Sequence, residues 1–165
     1  MDHLIEIAEN ENMFESVNKL KTTVDTQKFG ILIGSLALPG DVICLDGELG
    51  AGKTTLTQGI AKGLDVPPSC YVTSPSFSIL HEYPGRIPLY HMDFYRLNSS
   101  VEVEELGFEE YFYMSGVTVI EWSERAAEIL PADRLALYIK IEAGNERLVC
   151  FTHVAEKWRI RQINV

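Results

Sequence analysis

Residues 42–55 read VICLDGELGAGKTT, the most informative stretch of the chain. Within it, residues 47–54 match the phosphate-binding pattern G-x-x-x-x-G-K-[ST] at every fixed position. The apolar residues 42–45 precede this loop as a buried strand does, and apolar residues recur at helical spacing after Thr54. The sequence therefore predicts a strand, a glycine-rich loop and a helix, in that order.

The loop has the residue types that phosphate binding requires. Backbone N–H groups must turn inward onto phosphate oxygens, and Gly50 and Gly52 leave room for that approach. Lys53 can reach the β and γ phosphates, and the Thr54 hydroxyl is placed to bind Mg²⁺. We therefore expect a nucleoside triphosphate as the ligand, and we favour ATP because no Asn-Lys-x-Asp element for guanine recognition follows the loop.

Two further apolar segments that are predicted to be buried strands are each followed by an acidic residue. Asp93 comes after residues 87–92, and Glu121 comes after residues 117–120. Because ligands of open α/β sheets bind at the carboxyl ends of the strands, both acids are candidates to bind Mg²⁺ and to orient the attacking water. Residues 73–76 read Thr-Ser-Pro-Ser, which indicates either a loop that senses the γ-phosphate or a plain proline turn.

Two side chains beside these acids have alternative interpretations. His91 is a candidate catalytic base, but a histidine beside a strand end is more often a hydrogen-bonded structural residue, and we favour the structural role. Trp122 is either a core aromatic or a neighbour of the nucleotide, and we favour apolar burial. Neither residue is therefore placed among the catalytic candidates.

The rest of the chain predicts an α/β fold. Asp25 is a plausible N-cap for a first helix, whose apolar residues repeat at i, i+3, i+4 and i+7 before a Pro-Gly pair ends it. Residues 135–165 alternate like antiparallel strands around a Gly-Asn turn at residues 144–145. We expect one domain, residues 1–165, with a P-loop NTPase-like mixed sheet, flanking helices and a C-terminal antiparallel addition.

Composition and charge argue against several classes of protein. The 165 residues include 14 Lys and Arg against 24 Asp and Glu, a net charge of −10, which argues against tight direct nucleic-acid binding. No apolar run reaches the roughly 18 residues of a membrane span. The first ten residues are acidic and lack the basic start of a secretory signal, so we expect a cytoplasmic protein. The glutamates of residues 102–110 indicate either a solvated helix face, which we favour, or a surface that meets a basic partner.

Four ordered motifs carry a resemblance to a known family. They are GELGAGKTT at residues 47–55, SPSF at 74–77, HMDFYRL at 91–97 and IEWSE at 120–124. With them the sequence resembles the TsaE (YjeE) family, the small bacterial ATPases of threonylcarbamoyladenosine biosynthesis on tRNA. The phosphate loop alone occurs in many families, whereas the other three motifs in this order are specific to this one.

The resemblance implies a set of site residues. The nucleotide contacts of the family fall on Leu49, Gly50, Ala51, Gly52, Lys53, Thr54 and Thr55. Its adenine contacts fall on Thr23 and near Gly144. Its Mg²⁺ ligands fall on Thr54, Asp93 and Glu121, and its catalytic positions fall on Lys53, Asp93 and Glu121.

The resemblance also implies partners. The family works with TsaD and TsaB, which transfer the threonylcarbamoyl group to adenosine 37 of tRNA. An acidic ATPase that is weak alone can serve a tRNA enzyme by binding its protein partners, with hydrolysis resetting the partner complex between turnovers. This role does not require the ATPase itself to hold the tRNA.

Two other functions share the phosphate loop. A small-molecule kinase is one, although kinases of this size usually close an arginine-bearing lid, and the few cations between residues 54 and 133 are not clustered. A nucleotide-dependent interaction module with little turnover is the other. Measuring phosphate release with and without partners separates the module from the ATPase.

Overall fold

A seven-stranded mixed sheet forms the middle of the computed structural model, which describes residues 17–163. The strands are β1 (Val17–Leu20), β2 (Val42–Gly47), β3 (Leu80–Tyr83), β4 (Leu89–Asp93), β5 (Val117–Glu121), β6 (Leu135–Ile141) and β7 (Arg147–Val154). Their order across the sheet is β1-β7-β6-β2-β5-β4-β3. The four central strands are parallel, and the pairs β1–β7, β6–β7 and β3–β4 are antiparallel. The predicted α/β class with a mixed sheet is confirmed.

The central strands are apolar because the sheet is covered on both faces. Successive residues of a strand point to opposite faces. Ile43 and Leu45 of β2 accordingly join the core beneath the two long helices, whereas Val42 and Cys44 join a second core on the other face. The helices are α1 (Thr23–Leu36), α2 (Lys53–Gly63), α3 (Ser100–Glu105) and α4 (Glu156–Ile160). Over residues 17–163 no helix has the length and apolar character that crossing a membrane requires.

Helices α1 and α2 pack with their backbones nearly touching. A Cβ added to Gly34 would lie 2.2 Å from the carbonyl oxygen of Ile60, and one added to Gly59 would lie 2.4 Å from that of Gln27. Real Cβ atoms do not approach backbone oxygens that closely, so glycine is required at this crossing. The contact holds α2, the helix that begins at the end of the phosphate loop, against the core.

We expect Gly34→Ala to lower the free energy of unfolding by about 2 kcal/mol, because overpacking of the helix crossing outweighs the better helix propensity of alanine. Urea unfolding measures the change. Ser35→Ala is the matched control, since Ser35 is exposed on the same helix and should leave stability within about 0.5 kcal/mol. Equal stability of the two variants would contradict the close packing of α1 on α2.

The prediction that Asp25 caps α1 is wrong by three residues. Thr22 is the N-cap, and its Oγ1 accepts a hydrogen bond of 3.1 Å from the backbone N–H of Asp25. The Asp25 carboxylate in turn accepts from the Thr22 N–H at 3.0 Å. This is a capping box, in which the acid stands at the third helical position rather than at the cap.

The C-terminal segment confirms the predicted hairpin only in part. Strands β6 and β7 pair antiparallel around a turn at Ala143–Asn145. Beyond β7 the strand prediction is wrong, because α4 buries Trp158 completely and brings Lys157 and Arg161 onto the buried carboxylate of Asp41. These contacts outweigh the alternating pattern of the segment. Residues 164–165 of the prediction lie outside the described residues.

Candidate nucleotide-binding site

The phosphate loop connects the end of β2 to the start of α2. Gly50 and Gly52 have φ angles of 79° and 105°, in the left-handed region that favours glycine. The N–H of Ala51 donates to the carbonyl of Glu48 at 3.1 Å, which closes a tight turn inside the loop. The predicted order of strand, loop and helix is therefore present, with glycine at the positions where the backbone requires it.

Lys53 lies folded over its own loop. Its Nζ donates to the carbonyls of Gly47 and Glu48 at 2.7 and 2.8 Å, and it lies 3.8 Å from the centroid of the Trp122 ring. Only 5% of Lys53 is exposed. Burial lowers the pKa of its ammonium group, and the carboxylate of Glu121 opposes that change. The Trp122 ring is half-buried: it packs against the second core and also lies beside the phosphate loop, so each of its two interpretations holds in part.

The two predicted acids end neighbouring strands. Asp93 of β4 and Glu121 of β5 are paired in register and buried. Glu121 Oε2 accepts from the hydroxyl of Thr54 at 3.1 Å, which joins β5 to the first turn of α2. Asp93 Oδ2 accepts a short hydrogen bond from the hydroxyl of Ser74. The fold therefore brings two carboxylates and two hydroxyls from distant parts of the chain to the mouth of the phosphate loop.

His91 is fully buried beneath these acids. Its Nε2 lies 2.8 Å from Glu121 Oε1, and its Nδ1 has no hydrogen-bond partner. The opposite oxygen of Glu121 bonds Thr54, so the histidine orients the carboxylate from behind. This arrangement agrees with the structural role that the sequence favoured for His91.

One pocket of about 430 Å³ collects most of the predicted residues. Its lining residues are Leu49, Gly50, Gly52, Lys53, Thr54, Thr55, Ser74, Ser76, Asp93, Tyr95, Arg96, Glu121 and Trp122. Sequence reasoning did not name Tyr95 and Arg96 as site residues, although both belong to the HMDFYRL motif and come two and three residues after Asp93, the end of β4.

Thr23 and Ala51 line a second pocket, of about 240 Å³, beside the first. Asn145 and Arg147 from the turn and start of β7 form another part of its wall, and Gly50, Gly52 and Thr55 line both pockets. The phosphate loop therefore separates two adjoining spaces, one with the acids and one with Thr23. The implied adenine contacts at Thr23 and near Gly144 fall at the second space.

A cluster that the sequence did not indicate lies under the loop. Asp46 accepts hydrogen bonds from the Ser123 hydroxyl at 2.8 and 2.9 Å and from the backbone N–H of Glu124 at 3.2 Å. Burial, together with the adjacent carboxylate of Asp46, raises the pKa of Glu124 to about 8. Asp46 and Glu124, which are 78 residues apart, therefore lie side by side in a partly buried site. No local sequence pattern reveals that pairing.

We expect Glu124→Gln to change how stability depends on pH. The pKa of Glu124 rises from 4.5 to about 8 on folding. Its contribution to stability is therefore complete below the unfolded pKa and is lost as the pH rises through the folded pKa. Wild type should lose stability relative to Glu124→Gln between about pH 5 and pH 8, as urea unfolding at several pH values would measure. Glu104→Gln, at an exposed acid, is the control; equal pH profiles for wild type and Glu124→Gln would contradict the shifted pKa.

Comparison with known proteins identifies the family. The model of the family "Threonylcarbamoyl adenosine biosynthesis protein TsaE" matches residues 20–149. The chain belongs to the TsaE family. The resemblance seen in the four sequence motifs is thereby confirmed, and the TsaE family takes part in tRNA threonylcarbamoyladenosine biosynthesis.

Individual TsaE relatives are similar over most of their length. The tRNA threonylcarbamoyladenosine biosynthesis protein TsaE of Bacillus subtilis is 44% identical over 137 residues, which are 82% of this chain and 84% of the relative. The TsaE protein of Treponema pallidum is 40% identical over 127 residues, 77% of this chain and 93% of the relative. The crystal structure of Bacillus subtilis YdiB superposes with a TM-score of 0.76 at 38% identity, covering 88% of this chain and 90% of that one. This match confirms the P-loop fold of the TsaE family.

Proposed function

We propose that this TsaE-family chain is a single-domain, Mg²⁺-dependent ATPase that supports threonylcarbamoyladenosine formation at tRNA position 37 by acting on a TsaD–TsaB complex in the cytoplasm. The observation that carries the proposal is one pocket in which the phosphate loop meets Lys53, Thr54 and two strand-end carboxylates. A phosphate-binding backbone, a cation and acids are the groups that enzymes use to transfer a phosphoryl group to water.

The two adjoining pockets fit the two halves of a nucleoside triphosphate. The phosphates lie at the loop, in the pocket with Lys53 and the acids, and the base lies in the pocket with Thr23. Lys53 Nζ then exchanges the neutral carbonyls of Gly47 and Glu48 for phosphate oxygens. Hydrogen bonds between charged partners are stronger than those to neutral carbonyls, so the exchange favours nucleotide binding.

The donor atoms around Thr54 fit Mg²⁺. The ion prefers hard oxygen ligands and keeps waters and phosphate oxygens in its shell, so one hydroxyl and one or two carboxylates suffice. Thr54, Asp93 and Glu121 supply these atoms in one pocket, where Thr54 donates to Glu121 and Ser74 donates to Asp93. When bound, the ion neutralises charge that develops on the phosphates. The carboxylate of Glu121 orients the attacking water, and the Ser74 hydroxyl on Asp93 ties the loop of residues 73–76 to the acids, where the loop senses the γ-phosphate.

Exposed apolar side chains at the mouth of the pocket support a role that depends on partner proteins. Leu49 and Phe77 are 75% and 84% exposed, and the Arg96 guanidinium lies 4.1 Å from the centroid of the Phe77 ring. Aromatic and arginine side chains of this kind are enriched in protein interfaces. A partner bound here covers the nucleotide, which explains how partners raise the activity of an ATPase that is weak alone.

Phosphate release tests the proposal. The purified chain with ATP and Mg²⁺ should release phosphate slowly, and TsaD with TsaB should accelerate the release and allow repeated modification of tRNA. ATP-dependent association with these partners without phosphate release would favour an interaction module instead. Transfer of the γ-phosphate to a small acceptor, with ATP consumed but no phosphate released, would favour a kinase.

A further inference from the structure

Arg147, the first residue of β7, connects the C-terminal hairpin to the phosphate loop. Its Nε donates to the carbonyl of Ala51 at 2.8 Å, and its Nη2 donates to the carbonyl of Gly50 at 3.3 Å. Its Nη1 donates to the carbonyls of Asn145 and Glu146 at 3.0 and 3.1 Å. One guanidinium group thus holds four backbone carbonyls, two in the phosphate loop and two in the hairpin turn.

We propose that Arg147 is a positioning residue that holds the phosphate loop in its binding shape before the nucleotide arrives. The peptide between Ala51 and Gly52 is planar and trans, so its N–H points opposite to its carbonyl. When Arg147 binds the Ala51 carbonyl on the hairpin side, the N–H of Gly52 is aimed away from the hairpin. The guanidinium therefore acts on the phosphate through the backbone.

The hairpin is a firm support for this contact. Arg147 pairs with Leu20 of β1 on one side and with Ile141 of β6 on the other, so its backbone is held from both edges. The preceding residue, Glu146, forms an ion pair of 2.6 Å with Lys19 of β1. An anchor fixed in the sheet restrains the loop, whereas an anchor on a free turn would move with it.

Only arginine can make this set of bonds. Its guanidinium presents five N–H donors in a rigid planar fork, and here its three nitrogens make four hydrogen bonds. A lysine has one nitrogen and cannot span the two pairs of carbonyls. Lys53, the other cation on the loop, binds the carbonyls of Gly47 and Glu48 and leaves them when it binds phosphate, so Arg147 is the anchor that remains in both states.

Amide hydrogen exchange of the nucleotide-free protein tests the anchor directly. In Arg147→Ala the exchange rate of residues 48–52 should rise on the order of tenfold, because a local opening then breaks fewer bonds. Arg147→Lys should show most of the same rise. Lys140→Ala, which removes a cation from the same hairpin without touching the loop, is the control and should match wild type. Unchanged exchange at residues 48–52 in Arg147→Ala overturns the proposal.

Binding measurements test what the anchor does for the ligand, and this part rests on the proposed ATP function. Calorimetry with ATP and with inorganic tripolyphosphate, which has no base, should show a Kd about tenfold higher for both ligands in Arg147→Ala, equal to about 1.4 kcal/mol. Arg147→Lys should restore little of it. A loss for ATP alone would show a base contact instead, and full rescue by lysine would show a charge effect; either result overturns the positioning role.

The two measurements also separate this inference from the proposed function. If wild type binds neither ATP nor tripolyphosphate, the ATPase proposal fails, while the exchange rates of residues 48–52 still decide whether Arg147 holds the loop. Thermal unfolding of each variant shows that it is folded. Arg147→Lys keeps the charge and most of the side-chain length, so it supplies a folded variant if alanine destabilises the hairpin.

Discussion

Lys53→Ala is expected to raise the Kd for ATP by about 100-fold or more, because hydrogen bonds from a charged donor to phosphate contribute roughly 1.5–3 kcal/mol each. The fold should persist, since within residues 17–163 the Nζ contacts two loop carbonyls and the face of the Trp122 ring and no hydrophobic core residue depends on its charge. Isothermal titration with a nonhydrolysable ATP analogue measures the affinity, and circular dichroism checks the fold.

Lys62→Ala is the matched control for this experiment. Lys62 stands on the same helix, α2, but its Nζ is exposed and bonds Gln27 Oε1 at 2.8 Å. The control removes the same charge and should bind ATP like wild type. If Lys53→Ala also binds the analogue with unchanged affinity, the assignment of residues 47–54 as a phosphate loop is wrong.

Glu121→Gln should lower ATP hydrolysis by on the order of 10² or more while ATP still binds, in line with typical general-base and electrostatic contributions. A carboxylate that helps to hold the metal or orients the water matters more in the transition state than in the bound state. Glutamine keeps the size of the side chain and can still hydrogen-bond Thr54 and His91, so the buried network stays paired. The variant should therefore remain in its ATP state.

Two assays with the proposed partners, one of association and one of threonylcarbamoyl transfer, measure the effect of losing hydrolysis. Glu121→Gln should associate with TsaD and TsaB at least as well as wild type, support a single turnover of threonylcarbamoyl transfer, and fail to support repeated turnovers. Glu128→Gln is the control, because Glu128 accepts from Ser100 and does not line the pocket. Normal multiple turnover by Glu121→Gln would refute the hydrolysis-driven cycle and favour a binding module.

Local patterns in the sequence were enough to predict the parts of the site that depend on neighbours along the chain. The glycines and Lys53 of the phosphate loop stand at fixed spacings, and an apolar run followed by an acid marks Asp93 and Glu121 as strand ends. Parallel strands bring their carboxyl ends to one edge of the sheet, so the general position of both acids followed from sequence as well.

Contacts between distant residues could not be predicted in the same way. Thr54 and Glu121, 67 residues apart, meet only because β5 lies beside β2 in the sheet. The bond of Arg147 to Ala51 crosses 96 residues and needs the hairpin to return next to the loop. The local sequence around one residue of each pair does not indicate which distant residue it will contact.

The tertiary structure also decided the secondary structure of segments whose local pattern fits more than one element. The chain after Val154 alternates like a strand, but it turns into α4 because burying Trp158 and pairing two cations with Asp41 stabilise it more than another strand pairing would. The phosphate loop and its strand follow from residues that are adjacent in sequence, so periodicity and spacing predict them. Three features depend on which buried faces pack together: the order of the strands, the bonds of Arg147 to the loop, and the pairing of Asp46 with Glu124. The free energy of that packing is a sum over contacts in the whole fold, so no local stretch of sequence predicts it.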